Sequence, residues 1–256
     1  YKLVNLDNNL IDIIINVQET NTGSVSFGVG YSSFNNTNIS FGLRENNFLG
    51  EGNKVNLEAS LSDKKSTYNL GYTEPYFLDR HLSLSGNIFN QDKENQKGDI
   101  KFSVQGFGLG IGFKKEDISQ NFSYNLSTSK STTSSTSTAN SITGENGKNI
   151  MTSSVTHSIV SDTRDSFFNP TSGYRWKLSN TLSGLGGDTS FLKSVVNYGY
   201  YFPINYGDYV LSFKSGVGFV TGFDDKVTSS NRFSLGGDFL RGFDYARVCV
   251  REPGND

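Results

Sequence analysis

The sequence predicts an all-β chain, a transmembrane antiparallel β-barrel, and three observations carry the prediction. Apolar and polar residues alternate with a period of two along most of the 256 residues. Hydrophobic content is only 34%, yet aromatics reach 13%, with 20 Phe and 13 Tyr. A soluble chain this polar lacks material for a core, and disordered chains are poor in aromatics. A barrel in lipid resolves the conflict, because it needs one apolar residue in two and tolerates a polar interior. The connections, finally, sort into short turns and longer polar loops, as at the two ends of a membrane barrel.

The elements follow in order. Within Lys2–Glu19, Ile11, Ile13, Ile15 and Val17 alternate with Asp12, Asn16 and Gln18. This reads as the last strand of a small αβ domain, with Thr20-Asn21-Thr22 as a linker. From Gly23 the barrel pattern begins. Val25, Phe27, Val29 and Tyr31 share one face; Ser24, Ser26, Gly28 and Gly30 share the other. Ile39, Phe41 and Leu43 form the second strand, Val55 to Leu61 the third, and Tyr68, Leu70 and Tyr72 the fourth. Leu82, Leu84 and Ile88 mark the fifth. Phe107, Leu109, Ile111 and Phe113 mark the sixth, and Phe122, Tyr124 and Leu126 the seventh. Val155–Val160 is a weaker eighth. Tyr174, Trp176, Leu178 and Asn180 form a ninth, Leu192–Phe202 a tenth and Val210–Val220 an eleventh.

Short, turn-rich connections fall at Asn46–Asn53, Glu74–Arg80, Lys114–Ile118 and Phe202–Asp208. Thr128–Asn149 is a Ser/Thr-rich, low-complexity loop on the opposite side. Eleven is an odd number, and closure of an antiparallel barrel calls for an even one. An open edge in lipid would leave backbone groups unpaired at several kcal/mol each (roughly). The expectation is a chain incomplete at its C-terminus. Arg247–Asp256 loses the alternation and gains charge, and reads as an aberrant or truncated tail after Ala246.

Several function classes are disfavoured. A net charge of −2 gives no basic footprint for nucleic acid. Cys249 is alone, so neither a disulfide framework nor a multi-Cys metal site is available. No apolar run approaches the ~18 residues of a membrane helix. His81 and His157 lie far apart, and no nucleophile-elbow pattern occurs. Gly106, Gly108, Gly110 and Gly112 superficially suggest a dinucleotide loop, but no helix follows. They read as a lumen-facing wall that another segment can approach. No cofactor, metal or catalytic residue is implied.

Arg241-Gly242-Phe243, within Asn231–Tyr245 (NRFSLGGDFLRGFDY), resembles the sixth-loop motif of the BamA family of outer-membrane assembly factors. Read from spacing alone, it is a surface turn with Gly242 at positive φ. Asp162-Thr163-Arg164-Asp165, with Asn169-Pro170-Thr171-Ser172-Gly173, is similar to a periplasmic turn of that family. So are Phe48-Leu49-Gly50 with Gly52, and Thr73-Glu74-Pro75-Tyr76-Phe77-Leu78-Asp79. A plain charged turn remains an equal reading for the Asp162–Gly173 segment.

The resemblance implies that residues 1–20 end a polypeptide-transport-associated (POTRA) domain. Residues 21–246 would then hold about eleven of sixteen barrel strands. It implies a loop folded into the lumen, where Arg241 pairs with acidic groups, and a lateral gate at Ser24–Tyr31. The implied role is non-enzymatic, ATP-independent insertion of unfolded outer-membrane β-barrel substrates. The implied partners are the outer-membrane lipid bilayer, those substrates and accessory lipoproteins. The implied location is the outer membrane of a Gram-negative bacterium, ahead of a mitochondrial or plastid one. Rival readings are a two-partner secretion or autotransporter-assembly pore, a passive porin and a soluble β-sandwich.

Overall fold

The computed structural model describes residues 2–6, 10–14, 17–32, 36–94, 100–133, 145–205, 209–223, 227–228 and 231–233. Two strands, β1 (Lys2–Leu6) and β2 (Leu10–Ile14), pair antiparallel as a hairpin. Eleven more form one sheet in strict chain order. They are β3 (Gly23–Ser32), β4 (Asn36–Phe48), β5 (Asn53–Ser62), β6 (Lys65–Glu74), β7 (Leu82–Glu94) and β8 (Ile100–Lys115). The series continues with β9 (Ile118–Thr133), β10 (Asn149–Asp162), β11 (Gly173–Gly187), β12 (Phe191–Ile204) and β13 (Tyr209–Gly222). Every neighbour pair is antiparallel, so the sheet is an up-and-down meander.

Register carries the alternation across the whole wall. Phe27 faces Phe41, Phe41 faces Ala59, and Ala59 faces Tyr68 on one side. On the other side Gly71 meets Asn87, Asn87 meets Gly108, and Gly108 meets Asn125. A one-residue slip would exchange the two faces. Among the described residues Phe191 is the only buried apolar side chain, while Ser153 and Ser183 are the most fully buried. Apolar side chains lie instead on the outward surface, Val25, Phe107, Leu109 and Phe219 among them. That inversion of the usual core suits hydrocarbon outside and a polar lumen inside.

All eleven expected strands are present, but most are longer than the alternation marks. β9 runs through Thr133, taking in the first part of the expected Thr128–Asn149 loop, and β10 starts at Asn149. Polar residues occupy both faces there, so alternation carries no signal. β8 and β9 have 16 residues each, more than the ~9–11 that cross a bilayer. At the N-terminus the described strand is Leu10–Ile14, Val17 lies outside it, and it pairs with a second strand, Lys2–Leu6. The tail at 247–256 lies outside the described residues.

Candidate functional site

β3 is one edge of the sheet and bonds only to β4 among the described residues. The ladder runs from Gly23 opposite Glu45 to Ser32 opposite Asn36. Val25, Phe27, Val29 and Tyr31 point outward and are 65% to 79% exposed. Ser24, Ser26, Gly28 and Gly30 lie on the polar face. Ser26 Oγ donates to the Gly42 carbonyl and Ser40 Oγ to the Gly28 carbonyl, each at 3.4 Å. A Cβ on Gly28 would press on the Ser40 hydroxyl, whereas Gly30 has open space around it. This strand therefore holds its neighbour with little side-chain packing on the inner face.

The connection from β10 to β11 is built more tightly. Asp162 ends β10, and Arg164 folds back onto it. Nε donates to Oδ1 at 2.8 Å and Nη2 to Oδ2 at 2.7 Å. Arg175 Nε stands 3.4 Å from the same carboxylate. The Arg164 guanidinium also lies 5.4 Å from the Phe167 ring centroid, and its side chain is only 10% exposed. Next to Arg164, Asp165 Oδ1 accepts from the backbone N–H groups of Ser166, Thr171 and Ser172 at 3.0, 2.9 and 3.1 Å. The Thr171 hydroxyl donates to Oδ2. These contacts hold the Asp165 carboxyl at about 2, the Thr171 hydroxyl contributing most. Pro170 lies in the loop that Asp165 gathers. Gly173 closes it at φ +96°, against the Thr163 carbonyl.

The other turns at this end are simpler. After Glu74 and Pro75, the Tyr76 ring meets His81 edge-on at 5.9 Å, and Leu78 and Asp79 adopt positive φ. Leu49, Gly50 and Gly52 do likewise after β4, and Asn47 Oδ1 accepts from the Gly52 N–H at 2.7 Å. His157 sits on the outward face, stacked on Phe122 at 4.2 Å and 3.1 Å from Gln120 Oε1.

At the opposite end a contact appears that alternation gave no reason to expect. Lys193 Nζ on β12 donates to the Asn231 carbonyl at 3.1 Å and lies 4.5 Å from the Phe233 ring centroid. The ring rests on Gly218 of β13. Lys193 and Gly218 are both on the polar face, opposite Val220 and Val195. A glycine at a polar-face position was the one available signal. Arg241, Gly242 and Phe243 lie outside the described residues.

A meander whose apolar side chains point out and whose glycines, serines and asparagines point in defines a transmembrane β-barrel wall. The Omp85 superfamily domain profile matches residues 47–253, and the chain belongs to that superfamily. One relative is the outer membrane protein assembly factor BamA of Nitratidesulfovibrio vulgaris, 30% identical over 95% of this chain and 31% of that protein. Another is the sorting and assembly machinery component 50 homolog of Mus musculus, 26% identical over 96% of this chain and 53% of that protein. Among solved structures, BamA from Haemophilus ducreyi lacking POTRA domains 1–3 is similar with a TM-score of 0.77 and 27% identity. That match covers 96% of this chain and 51% of the other. The chain thus spans about a third of the bacterial curated relative's length.

Proposed function

We propose that this chain is the barrel portion of a factor that inserts β-barrel proteins into a bacterial outer membrane. The supporting observation is β3, a ten-residue strand that among the described residues is paired on one side, and is lightly packed on its inner face. Unpaired backbone groups on a strand edge accept another strand by β-augmentation. In this reading Ser24–Tyr31 is the lateral gate, and an incoming unfolded strand pairs with it in place of a weak closing seam. The Val25/Phe27/Val29/Tyr31 face stays in lipid throughout, and pairing with the incoming strand satisfies the backbone groups of the edge. The Arg241-Gly242-Phe243 loop acts from the lumen, its guanidinium held by carboxylates on the inner wall. The turns at Glu74–Tyr76 and Asp162–Gly173 face the periplasm, where accessory lipoproteins and a POTRA domain ending near residue 20 would meet them. The work is templating and not bond-making chemistry.

The test uses the full-length protein in liposomes with an unfolded β-barrel substrate. Gly30→Val adds β-branched bulk where space is open, so it stiffens the strand without a clash. The expected result is substrate folding slowed severalfold. An unchanged rate removes β3 as the gate. If the protein stayed monodisperse without detergent and ignored liposomes, the membrane reading itself would fail.

A further inference from the structure

We propose that Lys193 is a positioning residue: with Gly218 it clamps Asn231 and Phe233 to the inner wall, so that the segment leading to Arg241 starts inside the barrel. The inference rests on the reading of that segment as a lumenal loop, and adds the device that admits it.

The geometry turns the chain inward. β13 leaves the sheet at Gly222, and the Phe223 N–H bonds to the Ser190 carbonyl at 3.2 Å, still at the strand end. By Phe233 the chain has returned to Gly218, four positions back along β13 (222 − 218). Described residues on either side of 229–230 are tied together. The Asn231 N–H donates to the Thr228 carbonyl at 3.0 Å, and Arg232 Nε donates to the Val227 carbonyl at 2.7 Å.

Two features of the wall receive the returning segment. Gly216 and Gly218 are successive polar-face positions on β13, opposite Asn197 and Val195. The bare backbone leaves room for a ring, and a Cβ at Gly218 would overlap Phe233. Lys193 stands one strand away on the same face, with its ammonium close to the ring and bonded to the Asn231 carbonyl. A cation over an aromatic face and a charge-assisted hydrogen bond are both attractive. Here one ammonium makes both contacts to neighbouring residues.

The experiment is limited trypsin digestion of the full-length protein in liposomes, following cleavage after Arg232 by mass spectrometry. A clamped turn is a poor protease substrate, and a released one is a good substrate. Lys193→Met keeps the aliphatic stem and removes the charge. Phe233→Ala empties the ring site from the loop side and leaves the wall untouched. Both should raise the initial cleavage rate about tenfold, while Lys193→Arg should stay near wild type. Wild-type cleavage rates in both Lys193→Met and Phe233→Ala, with the barrel still folded by its gel-mobility shift, overturn the clamp. A faster rate in Phe233→Ala alone overturns the role of Lys193. The readout does not depend on substrate insertion, so a failed clamp and a failed assembly function are told apart.

Discussion

Arg164 and Asp162, two positions apart in the chain, face each other as a two-pronged ion pair at 2.8 and 2.7 Å. The pair stands at the β10 end of a ten-residue connection (163 to 172) between β10 and β11. Its planar fork matches the carboxylate in a way that a point charge does not. Arg164→Ala leaves Asp162 with Arg175 and the backbone N–H of residue 164, and should cost about 2 kcal/mol, the usual scale for a hydrogen bond to a charged group. Arg164→Lys should recover less than half of that. Urea unfolding of the protein in lipid vesicles measures both, and equal stability of Lys and Arg would show that the fork is idle.

Asp165 makes the same turn pH-dependent. Its carboxyl sits at about 2 in the folded chain, against an ordinary 3.8. A depressed folded value means that the stabilisation is fully present above about pH 4 and is lost as pH falls through about 2. Amide hydrogen exchange at Thr171 and Ser172 should therefore accelerate in that acid window. Asp165→Asn should exchange faster at neutral pH and show no such step. A wild-type turn indifferent to pH between 4 and 2 would contradict the assignment.

Gly173 tests the backbone of the turn independently of charge. Its φ is +96°, and a Cβ there would overlap the Thr163 carbonyl oxygen. Strain of this kind costs about 1–3 kcal/mol. Gly173→Ala should lower unfolding stability by that amount, and pairing it with Arg164→Ala should give a non-additive loss because both act on one turn. Full additivity would mean that the two residues stabilise separate structures.

Leu109 and Ser123 separate the two faces of the wall. Leu109 points outward from β8, while Ser123 lies opposite Gly110 on the inner face of β9. Leu109→Arg should destabilise the barrel in lipid by about 2–4 kcal/mol, the cost of a cation at mid-bilayer. Ser123→Arg should change stability far less, because the lumen is wet. Similar losses at both positions would remove the assignment of faces.

Much of this architecture is legible in the sequence. Phe27 and Gly28 already announced opposite faces, and each of the eleven marked strands is found in place. Strand ends were harder to read. At Thr128–Thr133 both faces are polar, so a ladder above the membrane looks like a loop. Val17 fits the alternation of Ile11, Ile13 and Ile15 yet is not in a strand. Turn residues were visible as motifs, but their partners were not. Asp165 gathers amides six and seven residues away (171 − 165, 172 − 165), a choice made by loop geometry.

Period-two patterning alone dictated a ribbon with one greasy and one wet side, since side chains of a strand point alternately up and down whatever the partner. Folding in three dimensions had to choose which groups would meet across a loop: Asp165 with Thr171, Phe233 with Gly218, Asn231 with Lys193. Those encounters depend on where a turn returns the chain, and alternation says nothing about contacts made outside its own ladder.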